Sequence, residues 1–309
     1  MRIVRKILLL TENNTVMRHV SYLMMMVATL AVAPGCNNSQ PQEADAEGDS
    51  NVCLLSKIKD EVVGLETPQG AICMVGIRDK DQFMSAELFE GYNDTVIAEY
   101  MPDGKAEAGY NVYALFGKDM KVLFDCGVGE GNGGQLMSKL AALGMSGDSI
   151  TDICFTHLHF DHIGGLFTAQ GKAAFPKATL HIPQEELDAW VSGPLKEQNE
   201  QVKRMLELYD GRIELFNAGD SLLGCIRSFP APGHTPGHTV YAVMNYWVLG
   251  DLVHVEDMQV AHPEMCARFD FDKEKAVESR CKLLEKMKAE DVCFFFMHAS
   301  SPTARILKP

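Results

Sequence analysis

Residues Thr156-His157-Leu158-His159-Phe160-Asp161-His162 place four metal-ligating side chains within six positions, in the pattern H-x-H-x-D-H. Imidazoles and a carboxylate at this density suit Zn2+ or a similar divalent ion. Ile153-Cys154-Phe155 before them reads as the end of a buried strand, and Gly164-Gly165 after them lets the chain turn sharply. Ligands gathered in a loop at a strand end are carried by a rigid scaffold and stay open to substrate. This constrains the fold, because distant donors reach such a loop only if other strands end beside it.

Candidate donors do follow. His234 and His238 lie in Ala231-Pro232-Gly233-His234-Thr235-Pro236-Gly237-His238, Asp251 ends Val248-Leu249-Gly250-Asp251, and His298 ends the apolar run Cys293-Phe294-Phe295-Phe296-Met297. Most of them follow a β-type segment. The stretches between them interleave strands and helices. Residues 111–117, 121–125, 149–155, 178–182, 225–229, 239–244 and 246–249 read as strands. Residues 135–143 have helical spacing with Leu136, Leu140 and Leu143 on one face. Residues 185–209 are mostly helical with a break around Gly193-Pro194, and Asp272 caps a helix that runs to about Met287 with Ala276, Leu283 and Leu284 inward. The glycines of 127–134 form a flexible loop near the site.

The order of these motifs resembles the metallo-β-lactamase superfamily. The H-x-H-x-D-H signature, the P-G-H-T-x-G-H segment, the L-G-D and the late His all stand in that family's sequence order, and Leu123-Phe124-Asp125-Cys126-Gly127 looks like its early strand ending in Asp-x-Gly. The resemblance covers roughly Asn111 to Pro302 and implies an α/β (α+β) fold, a four-layer αββα sandwich. It also implies two divalent metal ions, Zn first and Mn or Fe as alternatives. His157, His159 and His234 would hold one ion, Asp161, His162 and His298 the other, and Asp251 would bridge them with a hydroxide. Asp161 would also handle a proton as the leaving group departs. His238 is read as a supporting or packing residue, Asp125 as orienting a ligand or the loop backbone, and His181 and His262 as structural.

Gly250-Asp251-Leu252-Val253-His254, Ala261-His262-Pro263, Phe269-Asp270-Phe271-Asp272, Ala276, Arg280 and Trp190 look like the lactonase and methyl-parathion-hydrolase branch. A tyrosine found in some lactonases three residues after the bridging aspartate is His254 here. His254 is therefore either a substrate-polarising group or a solvated loop histidine. His298-Ala299-Ser300-Ser301-Pro302 also departs from the Leu-Pro-Phe-Pro that often follows the last His in relatives. The implied activity is hydrolysis of an ester, lactone or phosphotriester. The alternatives are thioester or β-lactam hydrolysis, or a non-catalytic surface lipoprotein that binds a ligand.

Residues 20–33 form a mostly apolar run, preceded by Arg18-His19 and followed by Pro34-Gly35-Cys36. The run is short for a membrane span and fits a signal-peptide core. Residues 1–35 are read as a lipoprotein-type signal peptide, with Met17 as an alternative start, and Cys36 as the lipid-bearing residue. Residues 36–55 are a polar tether, and 56–309 the catalytic domain. The expected location is the bacterial cell envelope, lipid-anchored on its periplasmic face or surface. The chain has 309 residues and net charge −14; residues 1–35 carry +3, which leaves −17 for the rest. Such acidity opposes binding to nucleic acid or acidic membrane surfaces and suits neutral or cationic substrates, or anions held only by the metals; a small neutral substrate is expected. The nine cysteines show no C-x-x-C spacing. Cys126, Cys154, Cys225 and Cys293 read as buried thiols, and a Cys53–Cys73 bridge stays open, as does the oligomeric state.

Overall fold

The computed structural model describes residues 62–67, 70–89 and 94–307. The apolar run at 20–33, Cys36, the polar tether and Cys53 lie outside the described residues. Seven strands form one sheet in chain order: β1 (Val62–Thr67), β2 (Gly70–Ser85), β3 (Lys105–Phe116), β4 (Lys121–Phe124), β5 (Asp152–Cys154), β6 (Thr179–Pro183) and β7 (Ile213–Phe216). The pairs from β1 to β4 are antiparallel and those from β4 to β7 parallel. A second sheet has the order β13 (Arg305–Ile306), β12 (Cys293–Phe295), β11 (Tyr246–Val248), β10 (Thr239–Val243), β9 (Ile226–Pro230), β8 (Ser221–Leu222). Only its β11–β12 pair is parallel.

Side-chain alternation along each strand explains the layering. On β3, Tyr113 and Leu115 pack between the sheets, while Val112 and Ala114 face outward. On β10, Tyr241 and Val243 point inward to the same core, while Val240 and Ala242 point the other way. Both faces of both sheets are therefore covered, and these strands lack polar alternation. Helices α2 (Leu136–Ala142), α4 (Gln184–Val191) and α5 (Glu200–Leu208) place Leu136, Leu140, Trp190, Val202 and Met205 against the outer face of the first sheet. Helix α7 (Lys273–Glu290) sets Leu283, Leu284 and Met287 against the outer face of the second. This is the expected αββα sandwich. Asp272 caps α7 as read, its side chain accepting from Lys275 N.

A smaller cluster joins α1 (Asp94–Tyr100) to α6 (Glu256–Ala261) through Met84, Met101, Ala108, Val255 and Met258. It seals one flank of the loops that follow β11. The glycine-rich segment at 127–134 is held rather than loose. Asp79 is buried, and its carboxylate accepts from the backbone N–H of Val128, Gln135 and Leu136 at 2.7–2.9 Å. Gly129 has φ +80°, and a Cβ there would lie 2.4 Å from the Gly164 carbonyl oxygen. The glycines thus let this loop lie directly on the turn that follows the histidine motif. Cys126 and Cys154 are buried as expected, whereas Cys225 and Cys293 are half-buried.

Candidate metal centre

The H-x-H-x-D-H motif starts where β5 ends and runs into the short helix α3 (Phe160–Ile163). Gly233 to His238 form the turn between β9 and β10, Asp251 follows β11, and His298 follows β12. The seven predicted ligands converge from these four loops. His157 Nε2, His159 Nδ1 and His234 Nε2 form a triangle with sides of 2.9, 3.0 and 3.1 Å. Ligands bonded at 2.0–2.1 Å to a tetrahedral ion stand roughly 3.3 Å apart. Three imidazoles this close, His157 and His234 buried and His159 half-buried, cannot all hydrogen-bond one another, because each neutral ring carries a single N–H.

Asp161, His162, Asp251 and His298 form a second group of donors within 4.8 Å of one another. Asp251 stands between the two groups. Its Oδ1 lies 3.2 Å from His162 Nε2, and its Oδ2 lies 3.2 Å from His298 Nε2 and 3.3 Å from His234 Nε2. Asp161 Oδ2 lies 3.6 Å from His298 Nε2 and 3.9 Å from His162 Nε2. The buried atoms His162 Nε2 and Asp251 Oδ1 lack a hydrogen-bond partner. Orphaned buried donors of this kind call for an explanation, and a metal ion supplies one. The donor set fits two divalent ions.

The outer nitrogens of the rings are held by oxygens. His162 Nδ1 meets Asp125 Oδ2 at 2.8 Å, His234 Nδ1 meets Asp270 Oδ1 at 2.9 Å, and His157 Nδ1 meets Thr156 Oγ1 at 3.0 Å. His298 Nδ1 lies 3.2 Å from the Gly109 carbonyl oxygen and 2.9 Å from Gln82 Nε2. Such contacts fix the ring orientation and direct Nε2 inward. Asp125 does this from a left-handed backbone conformation, φ +61°, and its carboxylate also accepts from Thr156 N and Oγ1 at 2.8 Å.

Burial, reinforced by neighbouring histidines, holds His157 and His159 well below the usual histidine range, so both are neutral electron-pair donors. Burial also opposes charge on His162 and His298, but the surrounding carboxylates, Asp251 foremost, outweigh it and raise both. Asp270 is buried yet held down to about 2 by its bond from His234. His238 is not among the converging donors. Its Nε2 accepts the backbone N–H of Asp251 at 3.0 Å, and burial lowers its pKa to about 3. It therefore fixes the loop that presents Asp251.

His254 is not a solvated loop residue. It is 1 % exposed, 3.4 Å from Asp251 Oδ2 through Nε2, and stacked on His298 with ring centroids 5.5 Å apart. The loop is drawn in by Gln259, whose Oε1 accepts from His254 N and Val255 N, and by Arg280, which donates to the Leu252, Pro263 and Met265 carbonyls. Trp190 meets His159 edge-on at 5.6 Å. His181 is held by Asp152 at 2.7 Å, away from the centre.

Like Gln82 and Gln259, two further residues at the site were not singled out from sequence. Tyr110 presents its ring edge to His298 at 5.5 Å, and burial followed by the charges of Asp161 and Asp251 pushes its hydroxyl up to about 12. Glu186 is completely buried on α4. One carboxylate oxygen accepts from Leu158 N and Trp190 Nε1, the other from Thr235 Oγ1 and Gly237 N, at 2.6–3.0 Å. It thereby ties the His157–His159 loop to the His234 loop. Gly237 permits this approach, since a Cβ there would lie 2.1 Å from Glu186 N. The signal was present in the spacing. Glu186 shares the buried helix face of Ala189 and Trp190, at i+3 and i+4.

Comparison with solved structures shows the same architecture elsewhere. The hydrolase AbOPH of the β-lactamase superfamily superposes with a TM-score of 0.71 at 24% identity, over 80% of this chain and 92% of that one. The dizinc quorum-quenching lactonase AidC gives 0.65 at 23% identity, over 81% and 98%. A probable metal-dependent hydrolase from Staphylococcus aureus gives 0.63 at 15% identity, over 77% and 97%. A search of curated proteins finds no match. The family model described as metallo-beta-lactamase superfamily matches residues 107–295, more than half of the sequence. With its motif order, its paired sheets and its converging donors, this chain belongs to the metallo-β-lactamase superfamily.

Proposed function

We propose that this protein is a metal-dependent hydrolase of esters, lactones or phosphotriesters, uncharged at the bond that breaks. The observation that carries this reading is the triangle of imidazole nitrogens beside the carboxylate of Asp251. In the proposed assignment His157, His159 and His234 would hold one divalent ion, Asp161, His162 and His298 would hold a second, and Asp251 would serve both. Zinc suits this mixture of imidazole and carboxylate best, with manganese or iron as alternatives. Two bound ions would acidify water and stabilise negative charge on the attacked group.

The residues themselves divide the remaining work. Asp125, Thr156, Asp270 and Gly109 hold the rings that face the centre. Asp161, at the solvent edge of the second group, takes the proton of the attacking water and returns it to the departing oxygen. The oxygen of water bonds to the carbonyl carbon or phosphorus, the bond to the leaving oxygen breaks, and the products are an acid and an alcohol. His254 faces the centre with Nε2 3.4 Å from Asp251 Oδ2 and Nδ1 without a partner, and donates to the substrate oxygen. Similarity to AidC, named as a lactonase, supports a lactone among the substrates.

Purified protein should hydrolyse at least one of a panel of aryl esters, lactones and phosphotriesters. A chelator should abolish that activity and added Zn2+ restore it. His254→Ala should reduce turnover by about 100- to 1,000-fold, the range for losing one donor to a developing oxyanion, with metal content unchanged. Full turnover in that variant would remove His254 from the mechanism. Tight ligand binding without turnover of any panel member would favour the binding-protein alternative.

A further inference from the structure

A groove of about 840 Å3 runs between α1, the start of β3 and α6, with His254 and His298 in its wall. It therefore opens onto the candidate metal centre. Acids outnumber bases in its lining. The lining holds the carboxylates of Glu99, Asp103, Glu107, Glu256 and Asp257 against Lys105, Lys288 and Arg305. Arg305 is engaged by Glu256 at 2.8 Å, and Lys105 lies 4.4 Å from the centre of the Phe83 ring. Glu99, Asp103, Glu107 and Asp257 are exposed and form no ion pair with any described residue.

A second observation points to a ligand in this groove. His254 lies in its wall almost completely buried; its Nε2 faces Asp251 Oδ2 at 3.4 Å, but its Nδ1 has no polar partner. A buried polar group left unmatched is costly, and a ligand oxygen reaching the end of the groove would satisfy it. The groove thus has an acidic rim and a histidine end.

We propose that the substrate carries a cationic ammonium group, held by Glu99, Asp103, Glu107 and Asp257 while its ester or lactone oxygen reaches His254. This rests on the hydrolase reading above. Carboxylates around a concave surface concentrate cations, and the chain's net charge of −14 acts in the same direction. An anionic substrate would meet the opposite field. The preference is electrostatic and falls with ionic strength, because the screening length shortens from about 10 Å at 0.1 M salt to about 3 Å at 1 M.

Two matched pairs test it. Choline and 3,3-dimethylbutan-1-ol share one shape and differ by a single positive charge, and neither can be hydrolysed. Titrated into the metal-loaded full chain at low salt, choline should bind at least about tenfold more tightly. The difference should shrink at 0.5 M salt and fall to about twofold or less in the E99Q/D103N/E107Q/D257N variant. Thermal melting reports whether that variant folds; if it does not, Glu99→Gln and Glu107→Gln singly, with the salt series, serve instead. Acetylcholine and 3,3-dimethylbutyl acetate form the second pair, read as the ratio of kcat/KM. Equal binding of the two alcohols overturns the proposal, whatever the esters do. Preferred binding of choline with hydrolysis of neither ester would leave the cation site standing and count against the hydrolase reading.

Discussion

Asp251→Ala is expected to empty the metal centre and remove activity in the same step. Among the described residues, no other side chain reaches both donor groups so closely. Its two oxygens lie within 3.2–3.4 Å of ring nitrogens of His162, His234, His254 and His298. Without the carboxylate, Asp161 is the one acid left among the seven donors, and nothing joins the His157, His159 and His234 group to the other. Metal content should fall to less than half of the wild-type value after desalting. Turnover should fall by about 1,000-fold or more, beyond the 100- to 1,000-fold typical of a single lost oxyanion contact. Asp251→Asn, nearly the same shape, separates charge from packing and should show the same metal loss with a smaller change in thermal stability. Retention of full metal content in both variants would remove Asp251 from the centre.

Glu186→Ala should give the largest loss of stability among residues that touch no ion. It strands four buried donors, the N–H groups of Leu158 and Gly237, the Trp190 indole N–H and the Thr235 hydroxyl. Each unmatched donor costs about 1–3 kcal/mol, and the four act as one network whose costs do not add. A total of roughly 3–5 kcal/mol matches the loss of one member of a buried charged network. At about 2–4 °C per kcal/mol for a domain of this size, Tm should fall by about 6–20 °C. Glu186→Gln keeps the shape but turns an amide NH2 toward a site that needs an acceptor. Metal affinity should then drop by about 10- to 100-fold, because His157, His159 and His234 lose their common support. Isothermal titration of zinc into the apo-protein reads this directly. Unchanged affinity in Glu186→Gln would reduce Glu186 to a packing role.

The donor residues were legible in the sequence because their chemistry is crowded into short motifs that end apolar runs. Strands β3 to β6 and β9 to β11 and helix α7 were legible for a related reason. Turn residues bound them, and Asp272 marks the start of α7. Strands β1 and β2 were not read. The segment from Ile72 to Ile77 is apolar on both faces because helices cover one side and the second sheet the other. It therefore carries no period to distinguish strand from buried helix. The burial of His254 was hidden for a different reason. It depends on Gln259 and Arg280, whose side chains fold back on the loop after Asp251, and no local pattern announces such a contact. Glu186 was visible only as a carboxylate on an apolar helix face, which becomes meaningful once the two histidine loops are known to meet it.

The claim that unifies these observations is that one side-chain cluster holds two ions. Elemental analysis of protein purified without chelator and equilibrated with zinc tests it most directly. The arrangement of His157, His159 and His234 on one side of Asp251, and of Asp161, His162 and His298 on the other, predicts about two equivalents of metal per chain. His298→Ala should lower the content toward one. A reproducible single equivalent in the wild-type protein under zinc-replete conditions would contradict the dinuclear account.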